Sequence, residues 1–188
     1  MPLPTVSATR FLSRVFEPLP PPAIHSPSAA APATAAAERF ALGLASGIVT
    51  AAAIIGTLLG LGRRSSTVWR PLNAVAQTAL GTRADGVWEF HANVTLVGVA
   101  VVLVVSLVAG VATAWLTSSR RTVQGAIVAF GVALTGYLVH VYIVARTLGG
   151  VAALLTTGEL RALYVTGAIA LTAGMRYAFS PVAKAPPE

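Results

Sequence analysis

The stretch from Asn93 to Thr117, NVTLVGVAVVLVVSLVAGVATAWLT, decides the fold of this 188-residue chain. It contains no charged residue, and its middle consists almost wholly of Val, Leu, Ala and Gly. A helix of this length rises about 37 Å at 1.5 Å per residue, whereas the hydrocarbon core of a bilayer is roughly 30 Å thick. The stretch is therefore predicted to be a transmembrane helix.

Three further apolar runs predict three more spans, at Phe40–Gly62, Thr122–Ala145 and Leu160–Phe179. The whole chain is 55% hydrophobic and only 10% charged, against about 25% charged residues in a soluble domain. The predicted fold class is all-α, an integral membrane bundle of about four transmembrane helices with short interfacial amphipathic helices. Four spans leave no room for a folded soluble domain.

The predicted transmembrane domain, residues 40–180, lies between an N-terminal tail of residues 1–39 and a C-terminal tail of residues 181–188. In the first tail, Thr5 to Phe16 has the pattern of a short amphipathic helix lying in the membrane interface. The prolines from Pro18 to Pro22 end that helix, and a linker rich in Pro and Ala follows. This tail is interpreted as flexible chain, with an organelle transit segment as the alternative.

The loop between the first two spans is predicted to contain an interfacial helix from Pro71 to Leu80, ended by Gly81. Pro71 suits the first helical position, where its missing amide hydrogen costs nothing. The apolar residues of the segment recur at helical spacing, while Asn73 and Gln77 fall elsewhere on the helical wheel. The predicted interface anchors are the tryptophans at the membrane edges, Trp69, Trp88 and Trp115.

Rows of small residues at a spacing of four follow two of the spans. They are Gly43, Gly47 and Ala51 in the first, and Ser106, Gly110 and Ala114 in the second. Small residues in such rows let helices approach closely in lipid. Packing against the chain's own helices is the preferred interpretation, and a dimer face is the alternative.

Few residues are suited to catalysis or metal binding. The chain has no cysteine, no metal-binding motif and no glycine-rich phosphate loop, so no catalytic residue is predicted and the protein is expected not to be an enzyme. Its formal net charge is +7, but the basic residues lie singly or in pairs at the ends of the apolar runs. They are therefore expected to meet lipid headgroups rather than nucleic acid.

His140 is the most informative single residue, because an ionisable side chain inside a span is costly and is a functional candidate. It is interpreted as a neutral packing residue with one interhelical hydrogen bond, or as the ligand of a haem or chlorophyll-type pigment, or as a proton relay. No other cofactor is expected. Near the membrane edge, Arg146 and Glu159 are predicted to form an ion pair, and Thr156 and Glu159 have the spacing of a capping box.

The segment Trp69-Arg70-Pro71-Leu72-Asn73-Ala74, with Gly81 beyond it and a glycine-rich span before it, resembles a group of small uncharacterised bacterial membrane proteins. These proteins also place a Pro-Leu-Asn-Ala loop helix between their first two spans. The resemblance covers residues 40–117 and implies no activity. Members often carry histidines along the second span, where this chain has only His91, at the start.

The leading functional hypothesis is a non-enzymatic accessory subunit of a larger membrane complex, such as a respiratory or photosynthetic one, in the bacterial inner membrane. Its expected partners are the lipid bilayer and other membrane subunits, contacted through the N-terminal tail. One alternative is a small homo-oligomeric transporter or channel built on the Gly43 and Gly47 face. Another is a membrane haem- or pigment-binding protein that uses His140.

Overall fold

The computed structural model describes residues 31–65, 67–117, 122–148 and 154–179, and within these ranges the chain is helical with short connecting turns and no strand. The chain divides into two units, Met1–Pro32 and Ala33–Glu188, and the contacts given below belong to the second. The helix predicted at Thr5–Phe16 and the C-terminal tail lie outside the described residues.

The described helices follow one another along the chain with few irregular residues between them. They are α1 (Ala31–Arg64), α2 (Arg70–Leu80), α3 (Ala92–Leu116), α4 (Thr122–Val139), α5 (Ala145–Leu148) and α6 (Thr157–Phe179). A 3-10 turn, Gly81–Ala84, follows α2, and a π-helical turn, His140–Val144, joins α4 directly to α5.

Three stretches of the described chain are long and apolar enough to cross a membrane: Ala35–Arg64, Ala92–Leu116 and Val123–Thr147. They correspond to the first three predicted spans, so the expectation of an all-helical, membrane-embedded protein is confirmed. The first helix begins at Ala31 rather than at Phe40. Its early turns are rich in alanine, the strongest helix former, and Pro32 lies in the first turn, where no amide donor is needed.

The helices bury small polar side chains and expose large apolar ones. Ser46, Thr50 and Thr113 are at most 2% exposed. Along α4, by contrast, the exposed apolar residues form one continuous row: Val123, Ile127, Phe130, Leu134 and Leu138. Exposing so much apolar area to water would be unfavourable at about 25 cal/mol per Å². This distribution is typical of a helix bundle whose outer surface contacts lipid.

Helices α1 and α3 touch backbone to backbone. A Cβ atom added at Gly110 would lie against the carbonyl oxygen of Gly43 and only 2.6 Å from the amide nitrogen of Gly47. In the other direction, a Cβ at Gly47 would lie 2.7 Å from the Cα of Leu107. The glycines predicted to mediate helix packing therefore face one another within a single chain, and α3 covers the face that a second copy would need.

Helix α6 packs on α1 at Ser46, which is fully buried. The Ser46 hydroxyl donates a hydrogen bond to the carbonyl oxygen of Leu171, at 2.9 Å. One turn further on, a Cβ at Gly174 would lie 2.6 Å from the Cα of Ser46. Inside a bilayer no water is available, so the Ser46 hydroxyl finds its hydrogen-bond acceptor on the neighbouring helix. This hydrogen bond fixes the register of α6 on α1.

Helix α2 folds back onto α3 and is held there by Asn73, which is 1% exposed. The Asn73 amide donates to the carbonyl oxygens of Val87 and Glu89, at 3.0 and 2.9 Å. Its Oδ1 accepts a hydrogen bond from the Thr95 hydroxyl at 2.7 Å. The sequence prediction placed the helix correctly but put Asn73 on its polar side. The side chain is instead the buried link between α2, the following loop and α3.

Close packing of α2 on α3 depends on Gly98. A Cβ at this position would overlap the carbonyl oxygen of Leu72 and lie 3.0 Å from its carbonyl carbon. Leu72 itself is 1% exposed and belongs to a core cluster that also contains Leu58 of α1 and Leu163 of α6. The Pro-Leu-Asn-Ala segment therefore links the packing of α2 to that of three other helices, α1, α3 and α6.

Candidate ligand-binding cavity

A cavity of about 330 Å³ lies between α1, α3, α4 and α6, and the far side of α2 contributes to one wall. We call it the His140 cavity. Its lining is almost entirely apolar and includes Ile54, Val102, Val105 and Leu163. The lining also contains five side chains with polar atoms: Thr50, Thr78, Ser106, His140 and Tyr164.

The His140 ring is held in place by Tyr164 of α6. The Tyr164 hydroxyl and His140 Nδ1 are 3.0 Å apart and share a hydrogen bond, and the two rings meet edge to face with centroids 5.9 Å apart. Tyr137 also packs edge to face on Tyr164, with centroids 5.6 Å apart. Tyr164 thus orients the imidazole directly, and Tyr137 supports the Tyr164 ring.

Glycine at position 136 makes room for this arrangement. A Cβ at Gly136 would lie 3.3 Å from Cε1 of Tyr164, so a larger residue would push the phenol ring away from α4. Gly136 and His140 are one helical turn apart. The imidazole and the glycine that accommodates the Tyr164 ring therefore lie on the same face of the helix. The sequence prediction identified His140 but missed both Gly136 and Tyr164.

The Nε2 atom of His140 and the Oγ atom of Ser106 are buried and make no hydrogen bond to any protein atom. They are the two such side-chain atoms among the described residues, and both residues line the same cavity. A buried polar group without a partner costs about 1–3 kcal/mol, and such groups are rare enough in native proteins to require an explanation.

His140 also begins the π-helical turn of residues His140–Val144. The amide of Ala145 donates to the carbonyl oxygen of His140, a bond that spans five residues instead of the usual four. Such single wide turns inside α-helices occur frequently at functional sites. The irregularity begins at the residue whose ring faces the cavity.

The hydrogen bond at Nδ1 determines what Nε2 can do. If Tyr164 donates its hydroxyl proton to Nδ1, then Nε2 carries the ring hydrogen and can donate it to a carbonyl oxygen. If Nδ1 donates to the phenol oxygen, Nε2 presents a lone pair that can accept a hydrogen bond or coordinate a metal. In both tautomers Nε2 retains one hydrogen-bonding capacity that no protein atom uses, and the same holds for the Ser106 hydroxyl.

The ionisable or hydroxyl-bearing groups nearest to His140 in this cavity are Tyr164 and Ser106. No carboxylate lines the cavity, and no group of three or more His, Cys, Asp or Glu residues able to hold a metal ion occurs among the described residues. The arrangement places one imidazole, oriented by Tyr164, in a mostly apolar cavity. Comparison with protein-family models, curated proteins and solved structures gives no match for this chain.

The small residues predicted from the sequence divide into two groups. Ala51 and Ala114 are both 3% exposed and buried between helices, as are the glycines described above. Ser106, 2% exposed, lies at the α1–α3 contact, where its carbonyl oxygen would be 2.8 Å from a Cβ at Gly47, and it also lines the cavity. Sequence alone gave no signal for this difference, because serine is common at tight helix contacts and at polar sites alike.

The predicted ion pair between Arg146 and Glu159 does not form. The Arg146 guanidinium lies over the Tyr142 ring, 5.6 Å from its centroid, because the π-helical turn leaves these two residues one turn apart on an exposed face. Glu159 is instead used at the start of α6, where its Oε2 accepts hydrogen bonds from the amide and hydroxyl of Thr156, both at 2.9 Å.

The capping box predicted for Thr156 and Glu159 is confirmed. The Glu159 amide donates back to the Thr156 hydroxyl oxygen at 3.3 Å, which completes the reciprocal pair. Hydrogen bonds from the Thr156 amide and then its hydroxyl hold the pKa of Glu159 below its ordinary value, with a smaller contribution from Arg64. Desolvation acts in the opposite direction and is outweighed.

The three tryptophans predicted to be interface anchors differ in their contacts. Trp69 packs edge to face on Phe90, with centroids 5.1 Å apart. The Trp88 ring lies under the guanidinium of Arg70, 3.6 Å from its centroid. Trp115, at the end of α3, is 54% exposed. All three lie near the ends of helices long enough to span.

Proposed function

We propose that this protein is a non-enzymatic membrane protein that holds a lipid-soluble ligand in the His140 cavity. The observation that carries the proposal is the buried, unpartnered Nε2 atom of His140, a residue that lines a mostly apolar cavity. Ligand sites generally combine an apolar cavity with a few precisely placed polar groups, and this cavity has that composition.

The favoured ligand is a compact apolar molecule with a carbonyl or hydroxyl group, such as a quinone ring. A volume of about 330 Å³ falls at the lower end of the usual 300–1,000 Å³ range for ligand sites. Two separate polar groups in the wall, His140 Nε2 and Ser106 Oγ, suit hydrogen bonds to oxygen atoms of a ring. Both would lose their desolvation cost when such a ligand binds.

A haem or chlorophyll-type pigment is the second candidate. It is supported by the hydrogen bond between Nδ1 of His140 and the Tyr164 hydroxyl, because histidines that ligate metals are usually oriented by a hydrogen bond at their other ring nitrogen. In that case His140 would hold the metal through Nε2, and its Nδ1 would donate the hydrogen bond to Tyr164.

The ligand can be identified by purifying the full chain in mild detergent, recording its absorption spectrum and analysing the extracted small molecules by mass spectrometry. We expect a bound quinone-like compound in the wild type and its loss in His140→Ala. The matched control is His91→Ala, which removes an exposed histidine outside the cavity. Haem absorption bands lost only in His140→Ala would favour the second candidate. Identical bound molecules in all three proteins would contradict the proposal.

We further propose that α6 is a fourth membrane span, so that the bundle has four. Its 23 residues rise about 34 Å, and the charged residues Glu159, Arg161 and Arg176 lie near its two ends. Its contacts with α1 at Ser46 and with α4 at Gly136 support an orientation alongside the other spans. Helix α2 would then lie at the interface with its inner face on α3, and the bacterial inner membrane is the proposed location.

The accessory-subunit hypothesis is compatible with ligand binding and stays a prediction. A larger complex would find its contact surface on the exposed apolar row of α4, from Val123 to Leu138. A homo-oligomeric transporter built on Gly43 and Gly47 has less support, because α3 already packs on that face.

A further inference from the structure

A second pocket, separate from the His140 cavity, lies where the end of α1, the start of α2 and the start of α6 come together. Its volume is about 320 Å³, and we call it the arginine pocket. Its polar lining includes Arg64, Arg70, Ser65, Thr67 and Glu159. The proposed function makes no use of this pocket.

The Arg70 guanidinium is positioned by Trp88 rather than by an acid. It lies 3.6 Å from the centroid of the indole ring, which engages the flat face of the guanidinium through a cation–π interaction. The N–H groups of a guanidinium lie in its plane and point outward from its edge. Stacking therefore fixes Arg70 and leaves its hydrogen-bond donors available to a ligand.

Arg64 contributes a second positive charge without a bound acceptor. It lies in the last turn of α1 and is exposed. Among the described residues, neither Arg64 nor Arg70 forms a side-chain hydrogen bond or an ion pair within 4 Å. Two guanidinium groups in one pocket, both with free donors, form the donor set that proteins use to bind phosphate oxygens.

Glu159 does not neutralise this pair. One of its carboxylate oxygens already accepts two hydrogen bonds from Thr156, and it carries one negative charge against two positive charges. The start of α2 adds a further positive contribution, because the amino end of a helix carries a partial positive charge and Trp69 provides no side-chain cap there. The pocket as a whole favours an anion.

The depth of the arginine pocket identifies the source of that anion. Arg64 ends the stretch Ala35–Arg64 that is suited to crossing the membrane, so the pocket lies at the level of the lipid headgroups, where basic and aromatic residues meet the interface. We propose that the arginine pocket binds the phosphate group of an anionic phospholipid. Free phosphate shares the same chemistry and is the other source that the experiment distinguishes.

The test uses the full chain, purified and stripped of lipid by extended detergent washing, and follows its thermal unfolding. Added phosphatidylglycerol is expected to raise the Tm of the wild type, and phosphatidylcholine at the same concentration is expected to raise it much less. The double variant Arg64→Gln/Arg70→Gln is expected to need at least about ten-fold more phosphatidylglycerol for the same shift. The control is Arg83→Gln, an exposed arginine on the 3-10 turn outside the pocket.

Native mass spectrometry of the same proteins provides a second measurement that does not depend on unfolding. One phosphatidylglycerol is expected to remain on the wild type and on Arg83→Gln and to be lost from the double variant. If the double variant does not fold, the single variant Arg64→Gln, at an exposed site, serves in its place. A matching Tm shift with inorganic phosphate alone would assign the pocket to free phosphate. Equal lipid responses in the wild type and in the arginine variants would overturn the proposal.

Discussion

The two sides of α3 use contrasting ways of packing. Toward α1, glycine meets glycine, and even a single added methyl group at Gly110 would meet backbone atoms. Elsewhere, α3 borders a cavity of about 330 Å³ with residues that include Val101, Val102, Val105 and Ala109. In lipid, where apolar area gives little drive for association, close contact depends on small residues. The helices are therefore in close contact where glycines meet and are separated by a cavity where larger side chains line α3.

The largest expected effect is at the tight contact. Gly110→Ala places a Cβ against the carbonyl oxygen of Gly43 and 2.6 Å from the Gly47 nitrogen, and backbone atoms cannot move aside cheaply. We expect a loss of about 3 kcal/mol in the free energy of unfolding, measured by chemical denaturation in mixed micelles.

The control for this prediction is the same substitution where space is open. A Cβ at Gly56 would have no neighbour within 4 Å, so Gly56→Ala should stabilise α1 by up to about 1 kcal/mol through helix propensity. Equal effects at the two glycines would mean that the α1–α3 contact is looser than described.

The second prediction concerns Asn73, whose buried hydrogen bonds attach α2 to the following loop and to α3. Asn73→Ala leaves the carbonyl oxygens of Val87 and Glu89 and the hydroxyl of Thr95 without their partner. We expect a loss of about 2 kcal/mol in stability, seen as a lower Tm.

Gln77→Ala is the matched variant on the same helix. Gln77 makes one exposed hydrogen bond, to Asp85, at 3.4 Å, so its loss should cost less than about 0.5 kcal/mol. A Gln77 effect as large as that of Asn73 would show that α2 is held by something other than the buried amide.

The third prediction compares the change from alanine to leucine at the His140 cavity with the same change at a tightly packed site. Ala133 lines the His140 cavity, so Ala133→Leu can occupy open volume and should change stability by less than about 1 kcal/mol. The same change should abolish ligand binding, measured by mass spectrometry of extracted molecules. Ala114→Leu, at a site that is 3% exposed, should instead cost about 3 kcal/mol. Retained ligand in Ala133→Leu would show that the ligand lies elsewhere.

The smallest expected effect is a pH dependence at the start of α6. Because hydrogen bonds from Thr156 lower the pKa of Glu159 below 4.5, its ionised form stabilises the folded state above that pH. This contribution should disappear as the pH falls through the lowered pKa. Glu159→Gln should remove that part of the acid sensitivity, measured by Tm between about pH 6 and pH 3. An unchanged pH profile in this variant would contradict the prediction.

The sequence predicted the helices well because each depends on local properties. Length, hydropathy and flanking charge located three spans to within a few residues, except at the start of α1, and spacing alone identified the capping box at Thr156. Asn73 was assigned to the wrong face because a helical wheel treats every polar residue as exposed to water. Its partners are a loop 14 residues away and a helix 22 residues away, and no local pattern describes them.

The candidate site was predictable only in part. A histidine inside a span pointed to His140 on energetic grounds alone. Its partner Tyr164 is 24 residues away, and the cavity depends on the spacing between α3 and α4, which is a property of the assembled bundle. The ion pair between Arg146 and Glu159 was expected from their position at one hairpin, but Thr156 and Tyr142 are nearer to these two charges.

The wide turn that begins at His140 amounts to one residue inserted into an otherwise regular helix. Each residue in an α-helix turns the chain by about 100° and advances it by 1.5 Å, so the insertion rotates everything after Val144 relative to everything before it. Deleting Val141 would restore an unbroken α-helix and would turn Tyr142 and Arg146 to a different side while leaving Gly136 where it is. The insertion thus lets one helix present two independent faces, one toward Tyr164 and the other toward the membrane edge.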